Sequence, residues 1–207
     1  SKKYTMSRLI TLGCSHTYCE GVSNTSSESW PSILSNKLDK KLINLGSPGS
    51  SNRAIQHNVI NFTFELDDTV IILWTYPDRY HFFLDKEKDT GLINIWGKGR
   101  SEVWFRDFHT DYNEKFDNKT IVNQVNLFLK SKRVNVINLL VSSEFNYYFD
   151  ITNLNTINST LVTYDIDFTK DYLEKYPRGI DDWHMGTEGN YNYAMSIYNS
   201  MVTKPVI

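Results

Sequence analysis

Cysteine is nearly absent from this chain: 207 residues hold two, Cys14 and Cys19. A disulfide-stapled framework is therefore excluded as its source of stability, and the pair reads as free thiols of a reducing compartment. A surplus of charge is also missing. Lysine and arginine number 22 against 24 aspartates and glutamates, with no basic stripe. Binding to nucleic acid or an anionic membrane through bulk charge is excluded on that ground. No apolar run approaches membrane-spanning length, and the first residues lack a signal-peptide pattern, so a soluble, cytoplasmic protein is the expectation. Neither an internal repeat nor a long linker is present, and residues 1–207 read as one domain large enough for a real core. Four Asn-x-Ser/Thr sequons, at Asn24, Asn61, Asn118 and Asn158, carry little weight in so asparagine-rich a chain.

What is present is alternation. Short apolar runs at Arg8–Leu12, 41–45, Thr69–Trp74, 134–141 and, more weakly, 161–163 read as strands. Between them lie helical patterns: one opening at Ser29-Trp30-Pro31, one over 53–64, one over 121–129 and a last over 187–201. Strands alternating with helices predict an α/β chain with a parallel sheet. One stretch, about 78–119, breaks the alternation and is crowded with aromatics, among them Tyr80, Phe82, Trp96, Trp104, Phe105, Phe108, Tyr112 and Phe116. It reads as an insertion: a β-hairpin and short helix packing aromatics on the sheet edge, or else a lid over a site.

Three turns carry candidate chemistry. Gly13-Cys14-Ser15-His16-Thr17 follows the first strand, and a disulfide between its flanking cysteines would stiffen the turn that presents Ser15. Gly46-Ser47-Pro48-Gly49-Ser50-Ser51-Asn52 follows the second. Asp181-Asp182-Trp183-His184 precedes the final helix. A serine, a histidine and a carboxylate are the parts of a nucleophilic hydrolase, recognised by role rather than chain order. In open α/β sheets ligands bind at the carboxyl ends of the strands, so these turns can converge. Each residue also has a plainer reading. Ser15 can be a turn former, Asp181 and Asp182 helix caps, His184 a surface histidine, and Gly46 and Gly49 positions of positive φ. The glycine loop lacks the lysine and spacing of a phosphate-binding Walker motif. Cys14, His16, Cys19 and His184 are zinc-type ligands, but their spacing fits no common structural zinc pattern, so metal binding ranks below hydrolysis.

The three turns together resemble the sequence blocks of the SGNH hydrolases, the GDSL esterase/lipase family. Gly13-Cys14-Ser15-His16-Thr17 is similar to the first block, Asn44 to Asn52 to the second, and Asp181-x-x-His184 with Gly189 to the last. The resemblance implies a three-layer α/β/α sandwich with about five parallel strands, flavodoxin-like in type. It implies Ser15 as nucleophile, His184 as base and Asp181 as its orienting acid, with no metal or cofactor. It also implies an oxyanion hole from the N–H groups of Ser15 and Gly46. Cys14 stands where the family has aspartate. The third-block asparagine is missing, since Thr69–Trp74 runs into Thr75-Tyr76-Pro77-Asp78. Asn52 is the first expectation for that donor, with Thr75 or Arg79 as alternatives or a hole of the two backbone donors alone, and His16, Tyr76, Arg79 and Trp183 are expected to line the substrate. The expected activity is hydrolysis of a small acyl ester, including an O-acetylated carbohydrate. The alternative is a carbohydrate-binding protein that keeps the fold without turnover.

Overall fold

The computed structural model describes residues 7–83, 90–93, 97–149 and 161–203. Five strands form a parallel sheet: β1 (Arg8–Leu12), β2 (Lys41–Asn44), β3 (Thr69–Trp74), β6 (Asn135–Leu140) and β7 (Leu161–Asp167). Their order is β2-β1-β3-β6-β7. Strand β3 lies at the centre, in register with β1 from Leu9–Thr69 and with β6 from Thr69–Asn135. Every residue of β3 is buried, which is why its sequence is a continuous apolar run rather than an alternation.

The two faces separate by residue parity, as a pleated strand requires. Leu9, Ile71, Leu73, Ile137 and Leu139 pack on one side with α3 (Trp30–Leu38) and α8 (Thr187–Thr203), through Trp30, Leu34, Tyr193 and Ile197. Ile10, Leu12, Val70, Ile72, Trp74 and Val136 pack on the other with α4 (Asn52–Asn61) and α6 (Asp111–Ser131), through Ile55, Val59, Val122, Val125 and Leu129. The expected three-layer α/β/α sandwich with five parallel strands is therefore the architecture found.

Local chemistry sets the helix starts. Ser29 accepts the Ser32 N–H and Pro31 sits in the first turn of α3. Ser51 accepts the Ala54 N–H at the start of α4, so the cap is Ser51 and not Asn52. Helix α6 begins ten residues earlier than its apolar periodicity suggests. Thr110 caps it, Asp111 and Glu114 occupy its first turn, and its first ten residues are polar enough to hide a helix from a hydrophobic pattern.

The insertion resolves into a hairpin and a helix. Strands β4 (Tyr80–Phe83) and β5 (Thr90–Ile93) pair antiparallel, and α5 (Arg100–Asp107) follows. Trp104 packs against Tyr80, Phe82 and Phe108. Trp96 and Asn158 lie outside the described residues. Shorter pieces complete the chain: α1 (Ser15–Tyr18), α2 (Thr25–Glu28) and α7 (Asn146–Phe149). No helix among the described residues is long and apolar enough to cross a membrane.

Candidate active site

Ser15 opens α1, one helical turn set directly after β1, with Cys14 as its cap residue. The turn is buried rather than exposed: Ser15 retains 7% of its surface and Thr17 none. Tight packing explains this. A Cβ on Gly13 would meet Thr17 Oγ1 at 2.1 Å, and one on Gly46 would lie 2.7 Å from the Tyr18 nitrogen. Both glycines let neighbouring backbone close onto α1. Among the described residues the N–H groups of Ser15 and His16 have no acceptor, as expected at a helix start.

The last strand leads, through a turn at Thr169–Leu173, to the loop that carries Asp181 and His184. Asp181 Oδ2 takes a 2.5 Å hydrogen bond from His184 Nδ1, and Oδ1 accepts the backbone N–H of Trp183 and of His184 at 3.1 and 2.9 Å. Burial pushes this carboxyl up, but the His184 and Trp183 donors outweigh it and hold Asp181 below the usual carboxylate range. Asp182 adopts φ 59° in the left-handed region and points its neighbours into this hairpin. The three-residue offset thus gives Asp181, not Asp182, the imidazole.

The two ends of the chain meet through small residues. Gly21 O accepts the Ile180 N–H at 3.0 Å. A Cβ on Gly21 would be 2.8 Å from His184 Cβ, and one on Gly179 would be 1.8 Å from Gly21 O. Asn190 fastens the same junction. Its Oδ1 accepts Cys19 Sγ–H at 3.3 Å and the Trp30 N–H at 3.1 Å, while its amide donates to Met185 O and Gly186 O. Sequence reasoning passed over Asn190, because an asparagine one residue after a helical glycine has no local signal.

His16 follows the serine in the chain and packs against the histidine of interest. Its ring stands 5.2 Å from the His184 ring and 4.7 Å from Phe168, and its Nε2 is 3.3 Å from Tyr76 Oη. Burial, then the nearby His184, lowers its pKa to about 3, so the ring is neutral. Tyr76 carries the Arg79 guanidinium over its ring at 4.5 Å, and Arg79 Nη1 donates to Thr75 Oγ1 at 3.3 Å. Trp183, one residue before His184, is 80% exposed.

No hydrogen bond joins Ser15 to His184. His184 Nε2 faces instead a carboxylate the sequence did not suggest, Glu20 Oε2, at 3.6 Å. A serine–histidine hydrogen bond does occur elsewhere, between Ser51 Oγ and His81 Nδ1 at 2.8 Å, but Ser51 is fully buried and caps α4.

Two expected oxyanion donors are already engaged. The Gly46 N–H donates to Asn44 Oδ1 at 2.9 Å. Asn52 spends its amide on Thr75 O at 3.1 Å and Asn118 Oδ1 at 2.8 Å, and its carbonyl accepts the Thr75 N–H at 2.9 Å. Asn52 therefore clamps the segment after β3 and neither caps α4 nor presents a donor to a ligand. Thr75 is fully buried within the same clamp. Among the described residues no three His, Cys, Asp or Glu side chains are arranged to share a metal ion, and Cys19 points its thiol at Asn190.

No family model and no curated protein sequence matches the chain. Solved structures do. An acetyl xylan esterase, Est2A, from the rumen bacterium Butyrivibrio proteoclasticus superposes with a TM-score of 0.65 at 11% identity, covering 96% of this chain and 64% of its own. TesA matches with a TM-score of 0.58 at 11% identity over 97% of this chain and 99% of its own. A protein described within the lipolytic G-D-S-L family from Desulfitobacterium hafniense DCB-2 matches with a TM-score of 0.56 at 10% identity, over 93% and 98%. The chain has the SGNH-type fold.

Proposed function

We propose that this chain is a serine esterase acting on a small acyl ester, with Ser15 as nucleophile, His184 as general base and Asp181 as the residue that orients it. The observation that carries the reading is the grip of Asp181 on His184. One carboxylate oxygen takes Nδ1–H at 2.5 Å while the other takes two backbone N–H groups, which fixes the tautomer and leaves Nε2 as the basic nitrogen. His184 sits on a loop packed against Gly21, three residues beyond the end of α1, and α1 begins with Ser15. Hydrogen bonds of this kind are often long without substrate and tighten in the complex.

In the proposed reaction Ser15 Oγ attacks the acyl carbonyl as His184 Nε2 takes its proton. The Ser15 N–H, which has no protein acceptor among the described residues, donates to the developing oxyanion. Collapse expels the alcohol, which leaves with the proton from Nε2, and water then hydrolyses the acyl-enzyme by the same base. The fold shared with an acetyl xylan esterase supports a small acyl group, an O-acetylated carbohydrate among the substrates. Tyr76, Arg79, His16 and Trp183 are the proposed lining.

One observation favours a second reading, a binding protein of the same fold with little turnover. With Gly46 and Asn52 engaged and no third-block asparagine, Ser15 is the one backbone donor named for the oxyanion, and a lost donor costs about 2.7–4 kcal/mol. A fluorophosphonate probe separates the two. The esterase reading expects labelling of the wild type, none of Ser15→Ala, and hydrolysis of short p-nitrophenyl esters by the wild type alone. Full activity in Ser15→Ala would remove the serine mechanism, and an unlabelled wild type would leave the binding reading.

A further inference from the structure

Glu20 stands where nothing in the proposed triad requires a carboxylate. Its Oε2 is 3.6 Å from His184 Nε2, the nitrogen that serves Ser15 and then protonates the departing alcohol. A group beside Nε2 therefore lies on the alcohol side of the reacting ester, not the acyl side. Its side chain keeps 37% of its surface, so solvent and ligands reach it. His184 is its one ionic partner among the described residues. With His184 engaged by Ser15 in the proposed reaction, Glu20 would have no ionic partner among the described residues.

The neighbouring charges do not replace that partner. The Arg178 guanidinium donates to Trp183 O at 3.2 Å, and Arg79 is held by Thr75 Oγ1 and the Tyr76 ring. Asp181 is committed to His184. Asp182, exposed and next in the chain, brings no positive charge. Trp183 offers an indole that is 80% exposed and has no ring partner among the described residues. A carboxylate beside the nitrogen that protonates the leaving alcohol attracts a cation on that alcohol by charge, and the exposed indole of Trp183, next in the chain to His184, offers a ring face to the same kind of group.

We propose that Glu20 is a specificity-determining residue on the alcohol side, selecting esters whose alcohol carries an ammonium group over uncharged or anionic ones. The proposal rests on the serine esterase reading above. The step is ordinary ester hydrolysis; Glu20 exchanges no proton and acts through its charge.

Acetylcholine and its uncharged isostere 3,3-dimethylbutyl acetate test it, with fluorophosphonate labelling run beside them. The wild type should favour the cationic ester by roughly fivefold or more in kcat/KM, the size of one solvent-accessible ion pair. Glu20→Gln should bring the ratio toward unity, Glu20→Lys should invert it, and molar salt should collapse the wild-type preference. A mere positioning role would change both esters together and leave the ratio alone. A ratio unchanged in Glu20→Gln, a wild type without preference, or labelling without turnover of the cationic ester overturns the proposal and leaves the esterase reading standing. A wild type that neither labels nor hydrolyses either ester overturns both.

Discussion

Asp181 and Asp182 differ by one position, and the backbone gives them different duties. Asp181→Asn should lower kcat by several orders of magnitude, because the amide no longer fixes the His184 tautomer. Asp182→Asn should have a far smaller effect, since its neighbour makes the contacts and asparagine tolerates the left-handed φ of 59°. Steady-state kinetics of both variants checks this, and the reverse order would reassign the acid. His16 makes a prediction about stability. Its folded pKa, about 3, lies below its unfolded value, so the unfolded chain binds more protons between those values. Its contribution is complete above about pH 6.5 and falls by about 1.4 kcal/mol per pH unit as pH drops through that window. Urea midpoints from pH 7 to 4 should fall less steeply for His16→Phe than for the wild type. Parallel slopes would show that His16 is not held neutral. The sequence offered His16 as a substrate contact or a zinc-type ligand and not as a buried neutral ring, because its burial against Phe168 and His184 joins residues far apart in the chain.

At the scale of elements, the strands were the most legible part. A buried parallel strand is a short apolar run, so β1 and β3 were bounded correctly from residues alone, and β2 and β6 to within a residue. Helices read well where one face is apolar and poorly where it is not, which is why the first half of α6 went unseen. Asn52 shows how an element end can mislead. It stands at the start of α4 beside a glycine loop, a position that suits a cap or an oxyanion donor, yet three hydrogen bonds tie it to Thr75 and Asn118. Asn52→Ala should therefore leave the Thr75 N–H and carbonyl buried without partners. It should lower stability by about 2–4 kcal/mol, well beyond the loss of a cap. Chemical denaturation measures this; a loss under 1 kcal/mol would mean the segment after β3 holds without the clamp.

For the whole molecule, the decisive feature is that the first loop and the last loop cross at two glycines. Gly179 presses on Gly21 O so closely that any side chain must separate the loops. Gly179→Ala should pull the His184 loop from α1 by a fraction of an ångström or more. Misplacement of about 1 Å in a catalytic constellation costs roughly a hundredfold in rate. Val22 and Met185 beside these loops belong to one core cluster, so some fall in melting temperature is expected beside the larger fall in kcat/KM, which is measured where the variant stays folded. Wild-type activity in this variant would show that the crossing does not position the imidazole.

The sequence by itself determined the alternation of strands and helices, the order of the three loops at the strand ends, and the Asp181–His184 pairing. Each follows from residues close together in the chain, where apolar period or a three-residue offset sets the geometry. Only the tertiary structure decided which donors remain free, why Asn190 matters and that Glu20 faces His184. A polar group's partner depends on what the fold carries to it, and Glu20 and His184 are brought together from opposite ends of the chain by the packing of their loops.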